Sequence, residues 1–419
     1  MSRALIVGSG GREHALAWKL AQECEVHAIP GNPGVAEVAE CHEGSAEDLD
    51  AVLETVRRLQ PDLVVVGPEN PLIAGLADRL RQAGVPCFGP GAREANLEGS
   101  KAFAKELMTE AGVPTAFGRA CSTPQEAMEA VRELAELGKL PVIKASGAAL
   151  GKGVIVCDDQ TQAEEAIRRA MVDLEFGEAG ETVVVEERLS GREFSLLTIC
   201  GAGGYWSLPV AQDYKRAMDG DRGPNTGGMG SVSPTPWVTA DLVAQAEERV
   251  VAPILRTMAN RGLDYRGVLF SGLMVQDGAV YCLEYNVRFG DPETQSVLPR
   301  LGSGFFDLLR QVAEGGTPSV LSVLDVTALT VVLASGGYPG AYRKGVPIRL
   351  PKVVPEGSLL FHAGTRMGPQ GFETAGGRVF GATGLGADLQ TARTRAYELA
   401  EAVDFEGKHF RRDIAAYAD

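Results

Sequence analysis

The chain lacks any long apolar run: no stretch of its 419 residues approaches the roughly 18–20 apolar residues of a membrane-spanning helix. Histidine is scarce, with five, and the seven cysteines are scattered without a Cys-x-x-Cys pair. Neither residue type shows zinc-ligand spacing, so a hard-ion site built from carboxylates is the metal reading that remains. An odd cysteine count without a pairing pattern implies reduced thiols, and a cytoplasmic location is expected. Positive charge is short too. Forty Lys and Arg against 55 Asp and Glu leave a net charge of −15, which disfavours a nucleic-acid or membrane-surface partner. The opening Met1-Ser2-Arg3-Ala4-Leu5-Ile6-Val7-Gly8 turns glycine-rich too soon for a signal peptide. There is no 20–50-residue repeat and no low-complexity tract.

What is present is an ordinary globular composition, 45% hydrophobic and 23% charged, spread over a length that exceeds a single core. Ala4–Val7, Val26–Ile29 and Leu63–Val66 read as buried parallel strands, each followed by a glycine or proline turn. Helical patterns lie between and after them at His14–Ala21, Leu49–Leu59 and Leu72–Gln82. This order predicts an α/β, doubly wound parallel sheet in the first 99 residues, with ligands bound beyond the carboxyl ends of its strands. The rhythm then changes, and a mixed α+β region runs over 100–315. Within it, strands read at Pro141–Ala145, Val154–Cys157 and Thr182–Glu186. A Gly/Pro/Ser stretch at Gly315–Ser322 precedes a third, mixed α/β domain over 323–419, which opens on a strand at Ala328–Ala334 and closes on a helix at Leu389–Val403.

The amino-terminal Gly8-Ser9-Gly10-Gly11-Arg12-Glu13-His14 follows a strand and opens a helix, where free backbone N–H groups make a phosphate cradle. A dinucleotide site fits poorly, because Glu13 stands where the third glycine of that fingerprint belongs. A plain tight turn is the alternative. The loops Pro30-Gly31-Asn32-Pro33-Gly34 and Gly67-Pro68-Glu69-Asn70-Pro71 converge on the same sheet edge, which suits a phosphorylated sugar better than NAD. Gly10, Gly11, Arg12, Glu13, Gly31, Asn32, Pro68 and Glu69 are the substrate-site candidates.

Lys144 ends an apolar strand, a costly place for a cation without an anionic partner. It is followed at once by Gly147-Ala148-Ala149-Leu150-Gly151-Lys152-Gly153, a loop able to fold over phosphates yet unlike a Walker A motif. Val183–Leu189 then reads as a strand running into a connection whose backbone can meet an adenine edge. Further on, Glu284 and Asn286 lie two apart on an alternating strand and so share a face, as two oxygen ligands of Mg²⁺ do. Arg288 follows, suited to neutralising a transferring phosphoryl group, and then Asp291 and Glu293, which serve the substrate or hold the loop. A sheet-end salt-bridge cluster is the bland alternative for any one of these residues.

Over nearly its whole length the chain resembles the glycinamide ribonucleotide synthetase family of ATP-grasp ligases. The motifs are Gly8–His14, Pro30–Gly34, Gly67-Pro68-Glu69, Leu97–Lys105, Gly151–Val154, Gln212–Arg216, Gly223–Gly230 (Gly-Pro-Asn-Thr-Gly-Gly-Met-Gly), Glu284–Glu293, Ala334–Gly340 and Phe361–Thr365. The resemblance implies a pre-ATP-grasp domain, a central ATP-grasp fold with a lid at about 115–187, and a carboxy-terminal domain. It implies ATP and Mg²⁺ (or Mn²⁺), with glycine and 5-phosphoribosylamine joined through a glycyl phosphate in purine biosynthesis. By position, Lys105, Lys144, Glu186, Leu189 and Glu193 would hold ATP with Gly151, Lys152 and Gly153. Glu284 and Asn286 would hold the metal and Arg288 the moving phosphoryl, while Asp213, Lys215 and Asn225, Thr226, Gly227 and Gly228 would lie near the acyl phosphate. Another carboxylate–amine ligase of the same superfamily is the alternative. Two departures stand in the phosphate loop: Ser146 replaces the family's usual acid and Leu150 a small residue. A monofunctional enzyme, monomeric or weakly dimeric, is expected.

Overall fold

The computed structural model describes residues 2–147 and 153–416. Five parallel strands form the amino-terminal sheet in the order β3-β2-β1-β4-β5: β1 (Arg3–Gly8), β2 (Glu25–Pro30), β3 (Glu40–Cys41), β4 (Leu63–Val66) and β5 (Cys87–Phe88). Their apolar residues are almost wholly buried, as a sheet covered on both faces requires. The order reverses between β1 and β4. That switch point places the loops after Gly8 and Val66 side by side, where a doubly wound sheet binds its ligand.

One helix departs from expectation. The pattern over Leu72–Gln82 forms two helices, Glu69–Ile73 and Leu76–Gln82, because Gly75 between them takes a φ of +86°. The apolar period continues across the break, so periodicity alone could not reveal it.

Residues Gly118–Cys121, Val183–Glu187, Pro141–Ala145 and Val154–Val156 make a four-stranded antiparallel sheet, in that order. It packs on helices Pro124–Glu136 and Gln160–Ile167 around an apolar cluster drawn entirely from this unit. A larger antiparallel sheet follows the order Gly204–Ser207, Arg192–Gly201, Gly267–Gln276, Ala279–Asn286. Its last pairing slips at Gly272/Leu273, leaving Leu283 as an extra residue, a bulge that re-aims the strand just before Glu284 and Asn286.

The third large sheet crosses the expected domain boundary. Thr327–Ala334, Arg378–Gly386 and Ser358–His362 are extended by Gly230–Ser233 and Gln212–Asp213 from the middle of the chain. Asp213 therefore ends up beside the carboxy-terminal domain. Two more contacts lock the domains together. The Glu23 carboxylate accepts three N–H groups, from Gly304, Phe305 and Phe306, at the otherwise uncapped start of helix Phe305–Ala313. His14, on helix α1 (Gly11–Leu20), accepts the His362 N–H at Nδ1, 2.8 Å away.

Burial, and next the facing His362, lowers the His14 pKa to about 3, while burial lowers that of His362 to about 4. Both rings are therefore neutral in the fold and take up protons only on unfolding, so their stabilisation is intact above about pH 6.5 and is lost as pH falls below it. Stability should drop between pH 6.5 and 4, and His14→Gln should flatten that drop. An unchanged pH profile in His14→Gln, measured by urea unfolding at each pH, would contradict this reading of the interface.

Candidate functional site

The glycine loop after β1 is shaped by Glu13. Its carboxylate accepts from Gly10 N (2.5 Å) and Arg12 Nε (2.6 Å), and its side chain lies where a Cβ on Gly8 or Gly67 would stand. Both positions are thus glycine for the sake of close approach. Glu13 is buried and spends its oxygens inside the loop. Asn32 does likewise: its amide donates to Ser9 O and His362 O and accepts from Gly34 N and Val35 N. Arg12, Pro68 and Glu69 face outward into a cavity of about 520 Å³. Gly10, Gly11 and Gly31 are not among the residues that line it.

The opposite wall of this cavity is cationic. Lys105 and Lys144 flank Glu186, the first at 3.1 Å and the second in direct contact. Lys105 also donates to Ala116 O, and Lys144 to the bulged Leu283 O at 3.1 Å. Burial alone would raise the Glu186 carboxyl, but Lys144 and Lys105 hold it below the usual range. A second cavity, about 760 Å³, shares Lys144, Glu186, Asp213, Lys215 and Glu284 with the first. It extends along Glu187–Glu193, so Leu189 and Glu193 line it, as do Asn225 and Thr226. Gly153 reaches the first cavity, whereas Gly151 and Lys152 lie outside the described residues.

Between these walls stands Arg288, held by Glu98 at 2.8 Å and Glu69 at 3.3 Å. Glu284 and Asn286 line the same cavity, and among the described residues neither side chain has a hydrogen-bond partner. Burial would raise the Glu284 carboxyl, yet Lys215, Lys144, Lys101 and Arg288 keep it low and ionised. Lys215 pairs with Glu193 at 2.8 Å. Beside it, burial lifts the Asp213 carboxyl to about 7, against the pull of Lys215. Glu293 is buried and accepts from Ser195 Oγ at 3.0 Å, and burial raises its pKa as well.

Three contributors went unseen in the sequence. Arg378, from the carboxy-terminal domain, donates to Gly227 O (2.5 Å) and Asp291 O (2.7 Å) and pairs with the Asp291 carboxylate at 3.4 Å. Tyr338 accepts the Gly227 N–H at 3.0 Å, so both residues shape the Gly227–Gly228 turn. The turn packs closely enough that a Cβ on Gly228 (φ +108°) would collide with Pro292. Glu98 is the third, and it carried a signal. An acid in the last turn of helix Ala92–Gly99 opposes the helix dipole, which asks for a nearby cation. Tyr338 lay within the Ala334–Gly340 motif without an assigned role, and nothing local marked Arg378.

Comparison with known proteins agrees with this geometry. Residues 2–98 match the phosphoribosylglycinamide synthetase N domain, residues 99–294 its ATP-grasp (A) domain and residues 328–417 its C domain. The chain belongs to the phosphoribosylglycinamide synthetase family. It is 45% identical to a phosphoribosylamine–glycine ligase of Streptomyces coelicolor, over 99% of both chains. It is 44% identical to one from Rhizobium meliloti, over 98% of this chain and 97% of the relative. Among solved structures, the phosphoribosylamine–glycine ligase of Thermotoga maritima superposes with a TM-score of 0.87 at 37% identity, covering 98% of this chain and 99% of that one. A biotin carboxylase from Campylobacter jejuni shares the fold alone, with a TM-score of 0.74 at 14% identity, over 98% and 93% of the two chains.

Phosphoribosylglycinamide synthetases are ATP-grasp carbon–nitrogen ligases that use ATP with Mg²⁺ or Mn²⁺. The site suits such an ion: Glu284 and Asn286 present two hard oxygen donors, uncommitted among the described residues, within a ring of cations that also attracts phosphate. Removing Glu186 leaves two buried lysines without their counter-charge. Glu186→Ala should therefore cost on the order of 3–5 kcal/mol in stability, read as a lowered melting temperature. ATP should recover part of that loss; a variant melting like the parent would contradict the lysine–glutamate arrangement.

Proposed function

We propose that the chain joins glycine to 5-phosphoribosylamine at the expense of ATP, giving N1-(5-phosphoribosyl)glycinamide, ADP and phosphate in purine biosynthesis. The observation that carries this is Arg288, whose two carboxylate partners tie the amino-terminal ligand loops to the lysine and carboxylate wall in a single cavity. Kinship with ligases named for this reaction supports the choice of acid and amine.

On this reading a glycine carboxylate oxygen attacks the γ-phosphorus, and the bond to ADP breaks. The amine nitrogen then attacks the glycyl phosphate carbonyl, phosphate departs and the amide forms. Nothing here needs a nucleophilic side chain; the demand is for positioning and charge neutralisation. Lys144, Glu186, Leu189 and Glu193 would seat ATP along the second cavity, with Lys105 and Gly153 from the adjoining first cavity and Gly151 and Lys152 as further phosphate partners. Glu284 and Asn286 would hold Mg²⁺ or Mn²⁺, which when bound neutralises phosphate charge. Arg288 would stabilise the transferring phosphoryl, aided by Lys215. Asp213, with a carboxyl near neutrality, has the right strength to take the proton that the amine sheds. Gly10, Gly11, Arg12, Pro68 and Glu69 would receive phosphoribosylamine, with Glu13, Gly31 and Asn32 holding their loops in shape. Asn225, Thr226, Gly227, Gly228, Asp291 and Glu293 would border the acyl phosphate.

The unit over about 115–187, with its separate apolar cluster, would close over the labile intermediate and exclude water. Domains at 1–99, 100–315 and 323–419 belong to this proposal. So do a cytoplasmic location, a monomeric or weakly dimeric state and the lack of a nucleic-acid or membrane partner. All seven cysteines are free thiols, and no helix among the described residues is long and apolar enough to cross a membrane.

ADP release with glycine and freshly prepared phosphoribosylamine tests the substrates; turnover with a different acid or amine, and none with this pair, overturns them. Arg288→Ala should lose about 10²–10³ in turnover, as removal of one transition-state donor does, and Arg288→Lys, which keeps a cation between Glu98 and Glu69, separates that loss from a loss of fold. Near-normal turnover would remove Arg288 from the mechanism. Glu284→Gln should shift the Mg²⁺ titration to higher concentration, and an unshifted curve would exclude it as a ligand.

A further inference from the structure

Away from the cavity, the outer edge of the amino-terminal sheet carries an arrangement the ligase reaction does not use. Strand side chains two apart share a face, so Glu25 and His27 lie together on β2, as do Glu40 and His42 at β3. Sheet register sets His27 directly opposite Glu40, and His42 N donates to Ala28 O at 2.8 Å, holding the next pair in step. All four side chains therefore meet at one spot. His27 Nδ1 is 3.0 Å from His42 Nε2 and 3.8 Å from Glu40 Oε2, and the other Glu40 oxygen is 4.0 Å from His42 Nδ1. The two imidazoles stack with centroids 5.2 Å apart.

We propose that His27, His42 and Glu40 form a binding site for Zn²⁺ or a similar borderline divalent ion, with water in the open position. Two nitrogens on one tetrahedral ion, each at about 2.0–2.1 Å, stand about 3.4 Å apart. The two ring nitrogens stand 3.0 Å apart, Glu40 Oε2 is 3.8 Å from the first, and one ligand atom from each of the three residues lies within 4.8 Å of the others, so an ion enters with side-chain shifts alone. The second shell is already built. Glu25 Oε1 lies 3.1 Å from His27 Nε2, accepting its proton and leaving Nδ1 with a free lone pair. That carboxylate–histidine relay orients a metal-bound imidazole and raises its basicity. Arg3 braces Glu25 from its far side at 3.5 Å. His27 is buried while Glu40 is open to solvent, which gives a rigid floor and an entry path.

One contact must change. Arg58 Nη2 sits 3.3 Å from His42 Nδ1, which places the His42 proton on Nε2 and directs it at His27. Ion binding moves that proton to Nδ1 and turns the exposed Arg58 toward solvent. A hydrogen bond between two rings is thereby replaced by coordination, and the two-residue β3 is pinned to β2. The set is softer than the paired oxygens of Glu284 and Asn286, so the two sites select different ions.

Zn²⁺ titration by calorimetry, with Mg²⁺ in excess to occupy the ligase site and no nucleotide present to chelate Zn²⁺, tests this. One equivalent of Zn²⁺ should bind per chain. His42→Ala and Glu40→Ala should each weaken binding more than tenfold, and Glu25→Gln by about 10–100-fold. Co²⁺ should give a visible d–d band that His42→Ala abolishes. Because Glu40 is exposed, its substitution should leave the metal-free melting temperature unchanged, separating a lost ligand from a lost fold. Ligase turnover should survive all three substitutions, so this site stands or falls apart from the reaction. No stoichiometric Zn²⁺ binding under excess Mg²⁺, or equal affinity in His42→Ala or Glu40→Ala, overturns the proposal.

Discussion

The site is organised by one guanidinium held between two carboxylates from different parts of the chain. Arg288 follows the last strand of the large antiparallel sheet, Glu69 opens a helix beyond β4, and Glu98 ends another helix. Glu98 also accepts the Val287 N–H at 2.7 Å, so the same side chain holds both the backbone and the charge of that turn. Burial raises the Glu98 carboxyl, and Arg288 is the main force opposing that rise. A buried charge of this kind is tolerable only when paired. The amino-terminal loops and the lysine-lined wall are consequently held at one separation.

Around that node the cavity neutralises itself. Lys105 and Lys144 share Glu186, Lys215 takes Glu193, and Arg378 takes Asp291. Each cation is thus positioned in advance, and an incoming polyphosphate or carboxylate meets charges already in place. Lys101 differs. Its ammonium lines the cavity with no hydrogen bond or ion pair among the described residues, and burial, opposed by the pull of Glu284, lowers its pKa.

Much of this was legible in sequence, for identifiable reasons. Buried β-branched runs followed by glycine turns located the amino-terminal strands, and a period of two placed Glu284 beside Asn286. The loops after β1 and β4 were legible because strand-end glycines mark ligand edges in such sheets. What escaped depends on contacts distant in sequence. Arg378 and Tyr338 reach the Gly227–Gly228 turn across more than a hundred residues, and no local pattern announces those contacts. The bulge at Leu283 is invisible to an alternation that reads correctly on either side of it. Glu13 and Asn32 read as ligand contacts because they are polar and loop-borne, yet both are occupied in holding their loops.

The proposed reaction requires transfer of the γ-phosphoryl group to the glycine carboxylate before the amide bond forms. Glycine labelled with ¹⁸O in its carboxylate tests this directly, with the released phosphate read by mass spectrometry or by the ³¹P isotope shift. One glycine-derived oxygen is expected in each phosphate formed with the amide. Phosphate free of label, at full amide yield, would contradict it.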